Sequence, residues 1–216
     1  MRKSLKRGIF ITFEGPEGCG KSTQSKLLHK YLKGRGYDSL HTREPGGTKL
    51  GELVRRVLLH SKGVNISDMS ELFLFESCRA EIVKEIIEPN LVKGRVVICD
   101  RFSDATRSYQ GYGGGVSLKA INALDKIATG ALSPDLTILL DIDTAMGLRR
   151  ARNKGVDRME KKDVAYHRRV RRGYLALAKA YPRRIKVIKV TDGIDRVHSL
   201  VRDEVEIVLQ RYKRAG

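Results

Sequence analysis

The chain has 216 residues, of which 41% are hydrophobic and 31% charged, and it carries a net charge of +18. This length suits one domain, residues 1–216, with a full core. No apolar run is long enough to span a bilayer, which argues against a membrane protein. The three cysteines, Cys19, Cys78 and Cys99, are isolated, so we expect reduced thiols in a cytoplasmic protein. The positive charge favours anionic partners, either nucleotides or nucleic acid.

Predicted strands and helices alternate along the chain. Strand signals lie at residues 9–13, 38–43, 95–100, 136–141 and 185–190. Helical signals lie at residues 21–31, 50–58, about 70–91 with a bend near Pro89, 103–109, 117–129, from 144 onwards, 160–181 and 194–212. Asp68 and Glu71 are spaced as in a capping box, and residues 111–115 are predicted to form a loop. The alternation predicts an α/β fold, a five-stranded parallel sheet with helices on both faces.

The first predicted strand leads into a glycine-rich stretch that fits the phosphate-binding P-loop pattern. Its glycines let several backbone N–H groups face one anion, and the start of the next helix adds partial positive charge. We expect Lys21 to reach the β- and γ-phosphates of ATP and Ser22 to ligate Mg²⁺. The predicted ATP-binding residues are Gly15, Pro16, Glu17, Gly18, Cys19, Gly20, Lys21, Ser22 and Thr23.

Two further polar motifs follow predicted strands. Asp100 ends the third strand and Arg101 follows it, which predicts a second Mg²⁺ ligand and a phosphate-bridging cation. The alternative for this pair is a solvated ion pair at a strand end. Arg43 ends the second strand and is suited to bidentate binding of a second phosphate, although an ordinary glycine-rich turn would leave the same pattern.

Together these motifs resemble the thymidylate kinase family. They are the Phe-Glu-Gly that opens the P-loop, then Arg-Glu-Pro-Gly-Gly-Thr, then Asp-Arg followed by Ser-Tyr-Gln-Gly. The resemblance covers about residues 9–195 and implies a P-loop kinase that transfers the γ-phosphoryl group of ATP to dTMP, with Mg²⁺, giving dTDP and ADP. It also implies a homodimer, for which the apolar helix faces at residues 50–58 and 70–88 are the expected interface. No membrane partner is expected.

The resemblance implies roles for residues near the phosphates and the sugar. It places Glu17 near the sugar 3′-hydroxyl, Arg43 on the dTMP phosphate, and Arg101 between the donor and acceptor phosphates. Together with Lys21 of the P-loop and Asp100 of the third strand, Arg101 is one of the predicted catalytic residues.

A second group of residues is implied to recognise the nucleoside. Phe75 would stack on thymine and Arg79 would hydrogen-bond a base carbonyl. Without the resemblance, Phe75 is more simply explained as a core residue. Tyr109 and Gln110 would abut the deoxyribose and the base edge, and Tyr109 would leave no room for a ribose hydroxyl.

Two positions depart from the usual family pattern. Phe102 stands where His or Tyr is usual, and Ala105 stands where many members carry Ser. A hydrogen bond to the substrate or to Gln110 is therefore missing unless Thr106 supplies it. Both departures concern base or sugar affinity and leave the phosphate chemistry untouched.

The basic segment at about residues 147–160 resembles the lid that closes over ATP in this family. The variable P-loop positions here carry no basic residue, so we expect the lid to supply catalytic cations. A solvated basic helix end explains part of this run equally well. The candidates are Arg150, Arg152 and Lys154, with Arg152 or Lys154 favoured over Arg149.

Three other functions fit part of the sequence. A kinase for another deoxynucleoside monophosphate would differ only in the base-reading residues. A nucleic-acid-stimulated P-loop ATPase would suit the charge of +18, but no RNA-binding motif is present and aromatic residues are few, so nucleic acid is not an expected partner. A non-catalytic nucleotide-binding module is disfavoured because Lys21, Ser22 and Asp100 are all in place.

Overall fold

The sheet is the centre of the computed structural model, which describes residues 5–61, 63–152, 157–191 and 193–214. Within these residues five strands pair in parallel, in the order β2–β3–β1–β4–β5 across the sheet. Each strand lies within one residue of its predicted bounds, so the five-stranded parallel sheet is confirmed. The strands are β1 (Ile9–Glu14), β2 (Ser39–Arg43), β3 (Val96–Asp100), β4 (Leu136–Asp141) and β5 (Ile185–Lys189).

Helices pack on both faces of this sheet. None of the helices in the described residues is both long and apolar enough to cross a membrane. The helices are α1 (Lys21–Gly34), α2 (Lys49–His60), α3 (Asp68–Ile82), α4 (Glu88–Val92), α5 (Ser103–Thr106), α6 (Leu118–Thr129), α7 (Thr144–Arg152), α8 (Val164–Ala180) and α9 (Ile194–Arg214).

The two faces of the central strand β1 bury different clusters. Ile11 is in a fully buried cluster with Leu28 of α1 and Val201 of α9. Phe10, the neighbour of Ile11 in the strand, is in another cluster with Ile82 of α3. Because successive strand side chains point to opposite faces, the apolar run of β1 fills the core on both sides of the sheet.

Two stretches that the sequence predicts as simple helix or loop contain π-helical turns. The long helix expected to bend near Pro89 is interrupted earlier, by the π-helical segment Val83–Ile87, and Pro89 lies in the first turn of α4. Pro89 has no N–H to donate, and it is tolerated there because the preceding π-helical turn already breaks the regular i→i−4 bonding. The helix expected at residues 103–109 ends as α-helix at Thr106 and continues as the π-helical segment Arg107–Gly113. Most of the loop expected at residues 111–115 is therefore helical.

Two helix starts also differ from their predictions. The capping residue of α3 is Ser67, whose side chain accepts from the N–H of Ser70, and not Asp68. The basic helix expected from residue 160 begins at Val164, because Asp163 caps it by accepting from the N–H of Tyr166. In both cases the helix begins where a Ser or Asp side chain, of the types favoured at this position, provides the cap.

Candidate active site

Strand register brings the predicted phosphate-binding motifs together. Phe13, just before the P-loop, is opposite Asp100 in β3, and Asp100 is opposite Arg43 in β2. The carboxyl ends of these three strands therefore meet at one edge of the sheet, where open α/β sheets bind ligands. A cleft of about 1410 Å³ opens at this edge.

The P-loop wraps the donor end of the cleft. Gly15, Gly18 and Gly20 adopt φ values of 140°, 67° and 93°, which residues with a Cβ rarely adopt. A Cβ on Gly18 would lie 2.0 Å from the carbonyl oxygen of Gly147, so α7 approaches the loop at backbone contact. Residues 17–23 all line the cleft, at the start of α1. The loop thus presents N–H groups and a helix N-terminus to an anion.

Lys21 is folded back over the same loop. Its Nζ donates to the carbonyl oxygens of Gly15 at 3.0 Å and Pro16 at 2.8 Å, and lies 3.5 Å from Cys19 Sγ. Burial raises the pKa of the Cys19 thiol, so this cysteine stays neutral beside the lysine. The ammonium group of Lys21 therefore donates to uncharged acceptors of the loop, and the charged oxygens of a phosphate can replace them.

Ser22 and Asp100 meet at the mouth of the loop. Ser22 Oγ donates to Asp100 Oδ2 at 2.5 Å. A hydroxyl and a carboxylate are hard oxygen donors that suit Mg²⁺, which in kinases takes phosphate and water oxygens at its other positions. The described residues include no group of three or more His, Cys, Asp and Glu able to hold a metal ion. The oxygens of Ser22 and Asp100 fit Mg²⁺ because both are hard donors.

Arg101 lies between the two ends of the cleft. Its Nη2 donates to Glu17 Oε1 at 2.8 Å and to Tyr109 Oη at 3.0 Å. Tyr109 Oη in turn donates to Glu17 Oε1 at 2.6 Å. Burial alone would raise the pKa of Glu17, but the charges of Arg101 and Lys21 outweigh it and bring that pKa to about 2. Glu17 is thus an anion wherever the protein is folded near neutral pH.

Two arginines, from β2 and α2, line the same part of the cleft. Arg43 lines the cleft and is held by Glu52, with Nη2 3.0 Å from Oε1. Arg55, which the sequence interpretation missed, lines the same wall and donates to the carbonyl oxygen of Pro45 at 2.7 Å. In the sequence, Arg55 is marked only by its position four residues, or one helical turn, after Gly51. The N–H of Gly51 donates to the capping side chain of Thr48 at the start of α2.

Two of the predicted base-reading residues lie in the cleft wall formed by α3. Phe75 lines the cleft and is half-buried, so part of its ring is open to a ligand. Arg79 also lines the cleft but is only 1% exposed. Its guanidinium donates to the carboxylates of Glu44 and Glu76 and to Thr106 Oγ1, at 2.7–3.0 Å. Arg79 is therefore fixed in place before any base arrives.

The remaining predicted substrate residues lie near Arg79 and Arg101. Gln110 lines the cleft and donates from Nε2 to Glu71 Oε1 at 2.7 Å. The hydroxyl of Thr106 lines the cleft and accepts from Arg79, which leaves its O–H as a donor where Ala105 has none. Phe102 is buried beneath the guanidinium of Arg79, 5.3 Å from ring centroid to Cζ, and supports it by a cation–π contact.

The basic segment after the fourth strand is only partly in the described residues. Arg150 is exposed and lines the cleft beside the P-loop. Arg149 and Arg152 are exposed and are not among the lining residues. Lys154 lies outside the described residues. At the far end of the segment, Arg158 donates to the carbonyl oxygen of Leu58 at 2.7 Å and pairs with Glu71.

Comparison with known proteins identifies the family. The sequence model of the family described as thymidylate kinase matches residues 13–201. The chain is 44% identical to thymidylate kinase of Caldanaerobacter subterraneus subsp. tengcongensis over 96% of this chain and 99% of that protein, and 44% identical to that of Symbiobacterium thermophilum over 96% and 98%. A crystal structure of thymidylate kinase from Ehrlichia chaffeensis superposes with a TM-score of 0.78 at 36% identity, covering 92% of this chain and 99% of that one. The chain therefore belongs to the thymidylate kinase family, whose reaction is the ATP-dependent phosphorylation of dTMP to dTDP.

Proposed function

We propose that the cleft holds ATP and dTMP end to end, with ATP on the P-loop and dTMP between the ends of β2 and α3. The observation that carries this placement is the position of Arg101. Its Nη2 contacts both Glu17 of the P-loop and Tyr109 of the proposed acceptor wall, which meet at that atom. A cation at that junction lies where the γ-phosphoryl group must pass between the two nucleotides.

The chemistry of this arrangement is positioning and charge neutralisation. Lys21 leaves the carbonyl oxygens of Gly15 and Pro16 for the β- and γ-phosphates of ATP, and Arg101 leaves Glu17 for the group in transfer. Glu17, released from Arg101, is then free to accept from the sugar 3′-hydroxyl. A dTMP phosphate oxygen then attacks the γ-phosphorus in line.

Ser22 and Asp100 are the residues proposed to hold Mg²⁺. Their oxygens are already adjacent, at 2.5 Å, and face the phosphate-binding loop. Bound there, the ion would neutralise part of the charge on the substrate phosphates. A titration of turnover with Mg²⁺ tests this assignment, since turnover without a divalent ion would rule it out.

Thymine recognition is proposed to depend on a wall prepared in advance. The exposed part of the Phe75 ring is available for stacking on thymine. Arg79 is held by Glu44 and Glu76, so its guanidinium cannot shift to contact a misplaced base. Both N–H groups of Nη2 are engaged, by Glu44 and Thr106, so the second N–H of Nη1 is the donor proposed for a base carbonyl. Gln110, fixed by Glu71, is proposed to contact the base edge, and Tyr109 the deoxyribose.

The first prediction concerns Arg43 on the acceptor side. Arg43→Ala should raise KM for dTMP by at least about tenfold, because charge-assisted hydrogen bonds to phosphate are lost. KM for ATP should change by less than about threefold, since Arg43 lies away from the P-loop. Steady-state kinetics with each substrate varied in turn provide the measurement.

Arg35→Ala is the matched control for this variant. Arg35 and Arg43 each pair with one glutamate, and their side chains are 45% and 53% exposed. Arg35 is not among the residues that line the cleft. Unchanged dTMP kinetics in Arg43→Ala, or a loss confined to ATP, would move Arg43 out of the acceptor site.

We also propose that residues 147–160 form a lid of a single kinase domain and supply the further cations for transfer. Lys21 is the one basic residue of the P-loop, and Arg150 already lines the cleft next to it. Arg152 and Lys154 remain candidates that lid closure would bring inward. An inserted arginine in related phosphoryl transfer contributes about 10³–10⁵ in rate.

Single neutralisation of the lid cations tests this part of the proposal. Replacing Arg150, Arg152 or Lys154 by Ala should lower kcat by at least about tenfold for one or more of them, with little change in KM for dTMP, because a lid acts late in the reaction. Arg149→Ala is the neighbouring control and should retain turnover. If all three variants stay within about threefold of the parent at saturating ATP and dTMP, the catalytic charge does not come from the lid.

A homodimer through α2 and α3 is proposed from their exposed apolar residues. Leu53 of α2 is 53% exposed and Phe73 of α3 is 54% exposed, and Leu50, Val57 and Met69 extend the same kind of surface.

Sedimentation equilibrium should give about twice the chain mass of 24.3 kDa. Phe73→Glu should yield monomer, whereas Ile127→Glu, at an 80% exposed site on α6, should not. A monomeric parent would contradict the interface.

A cytoplasmic location is proposed as well. All three cysteines are buried and free of disulfide bonds, as expected of a reducing compartment. Fractionation of cells that contain the protein tests the location.

A further inference from the structure

Arg101 has a second support, on the side away from the cleft. Its Nη1 donates to Tyr174 Oη at 3.2 Å, and Tyr174 Oη donates to Glu14 Oε2 at 2.8 Å. The other carboxylate oxygen, Glu14 Oε1, accepts from the backbone N–H of Phe102 at 2.7 Å. Glu14 therefore connects to the guanidinium of Arg101 through Tyr174, and to the backbone directly after Arg101.

The backbone that Glu14 contacts is strained. Arg101 has a φ of 74°, in the left-handed region that residues with a Cβ rarely occupy. Its own N–H donates to the carbonyl oxygen of Phe13 at 3.0 Å. The bonds to Phe13 and Glu14 thus lie on either side of the strained residue and hold it in the conformation that directs its side chain into the cleft.

The burial of Glu14 indicates that this side chain does more than fill space in the core. Glu14 is fully buried and Tyr174 is 2% exposed. Burial and the nearby charge of Asp104 raise the pKa of Glu14 to about 8. A carboxyl group is a costly occupant of such a site, where an apolar side chain would pack with no need of partners. Both of its oxygens are nevertheless satisfied, and both bonds lead to the immediate surroundings of Arg101.

We propose that Tyr174, anchored by Glu14, is a positioning residue that fixes the guanidinium of Arg101 for phosphoryl transfer, an inference that rests on the role proposed for Arg101. Glu17 and Tyr109 line the cleft, whereas Glu14 and Tyr174 do not. A substrate can therefore take Nη2 from Glu17 and leave the bond between Nη1 and Tyr174 intact. Arg101 then keeps its orientation while its inner partners change.

Removal of one hydroxyl group tests the inference. Tyr174→Phe keeps the buried ring and deletes the bridge to Glu14, so kcat should fall about tenfold or more while both KM values change less than about threefold. Tyr166→Phe is the matched control on the same helix. Tyr166 is 4% exposed and donates to the carbonyl oxygen of Tyr109 at 3.0 Å, without contacting Arg101. Its kcat should stay within about threefold of the parent.

A double-mutant cycle with Arg101→Lys separates positioning from a general structural role. If Tyr174 acts through the guanidinium, Tyr174→Phe should have little further effect on kcat in the Arg101→Lys background. An equal loss in both backgrounds, or no loss in the parent, would overturn the inference. If Arg101→Lys alone leaves turnover unchanged, the role proposed for Arg101 fails and this inference fails with it. A thermal midpoint for each variant confirms that the folded protein is being assayed.

Discussion

The arrangement of the cleft residues depends on how one partly buried cation, the guanidinium of Arg101, is held. Arg101 adopts a left-handed backbone conformation, which costs on the order of 1–3 kcal/mol for a residue with a Cβ. Two tyrosine–glutamate pairs surround its guanidinium, Tyr109 with Glu17 on the cleft side and Tyr174 with Glu14 behind. A buried charge is tolerated when it is paired and hydrogen-bonded in this way. The same pairing holds the cation between the two nucleotide sites that we propose.

Much of the fold could be predicted because its strands are short, three of them are almost wholly apolar, and glycine and proline mark several of the connections. The continuous apolar run of β4 and the strand–loop–helix transition at the P-loop both follow simple rules, and all five strands lie within one residue of prediction. The π-helical segments Val83–Ile87 and Arg107–Gly113 could not be predicted in this way. Local sequence indicates that a helix forms, but its neighbours in the fold decide whether an extra residue is inserted in a turn.

The candidate site was predictable where motifs follow strands, and less so where distant elements meet. Asp100 and Arg43 were placed correctly at the same edge of the sheet, because parallel strands end together. Tyr174 and Arg55 were missed, since nothing near them in the sequence links α8 to β1 or α2 to the cleft. The sequence also did not indicate that Arg79 would be surrounded by carboxylates before substrate binds.

The most direct test is a comparison of acceptors in an assay that couples ADP release to absorbance. ATP is supplied at saturation, and kcat/KM is measured for dTMP, dUMP, dCMP, dAMP and dGMP. The expected result is that kcat/KM is highest for dTMP. The value for dUMP should be lower by about 10- to 200-fold, the range that one methyl group in a fitted pocket can contribute. Faster phosphorylation of a purine nucleotide than of dTMP would contradict a thymine site formed by Phe75 and Arg79.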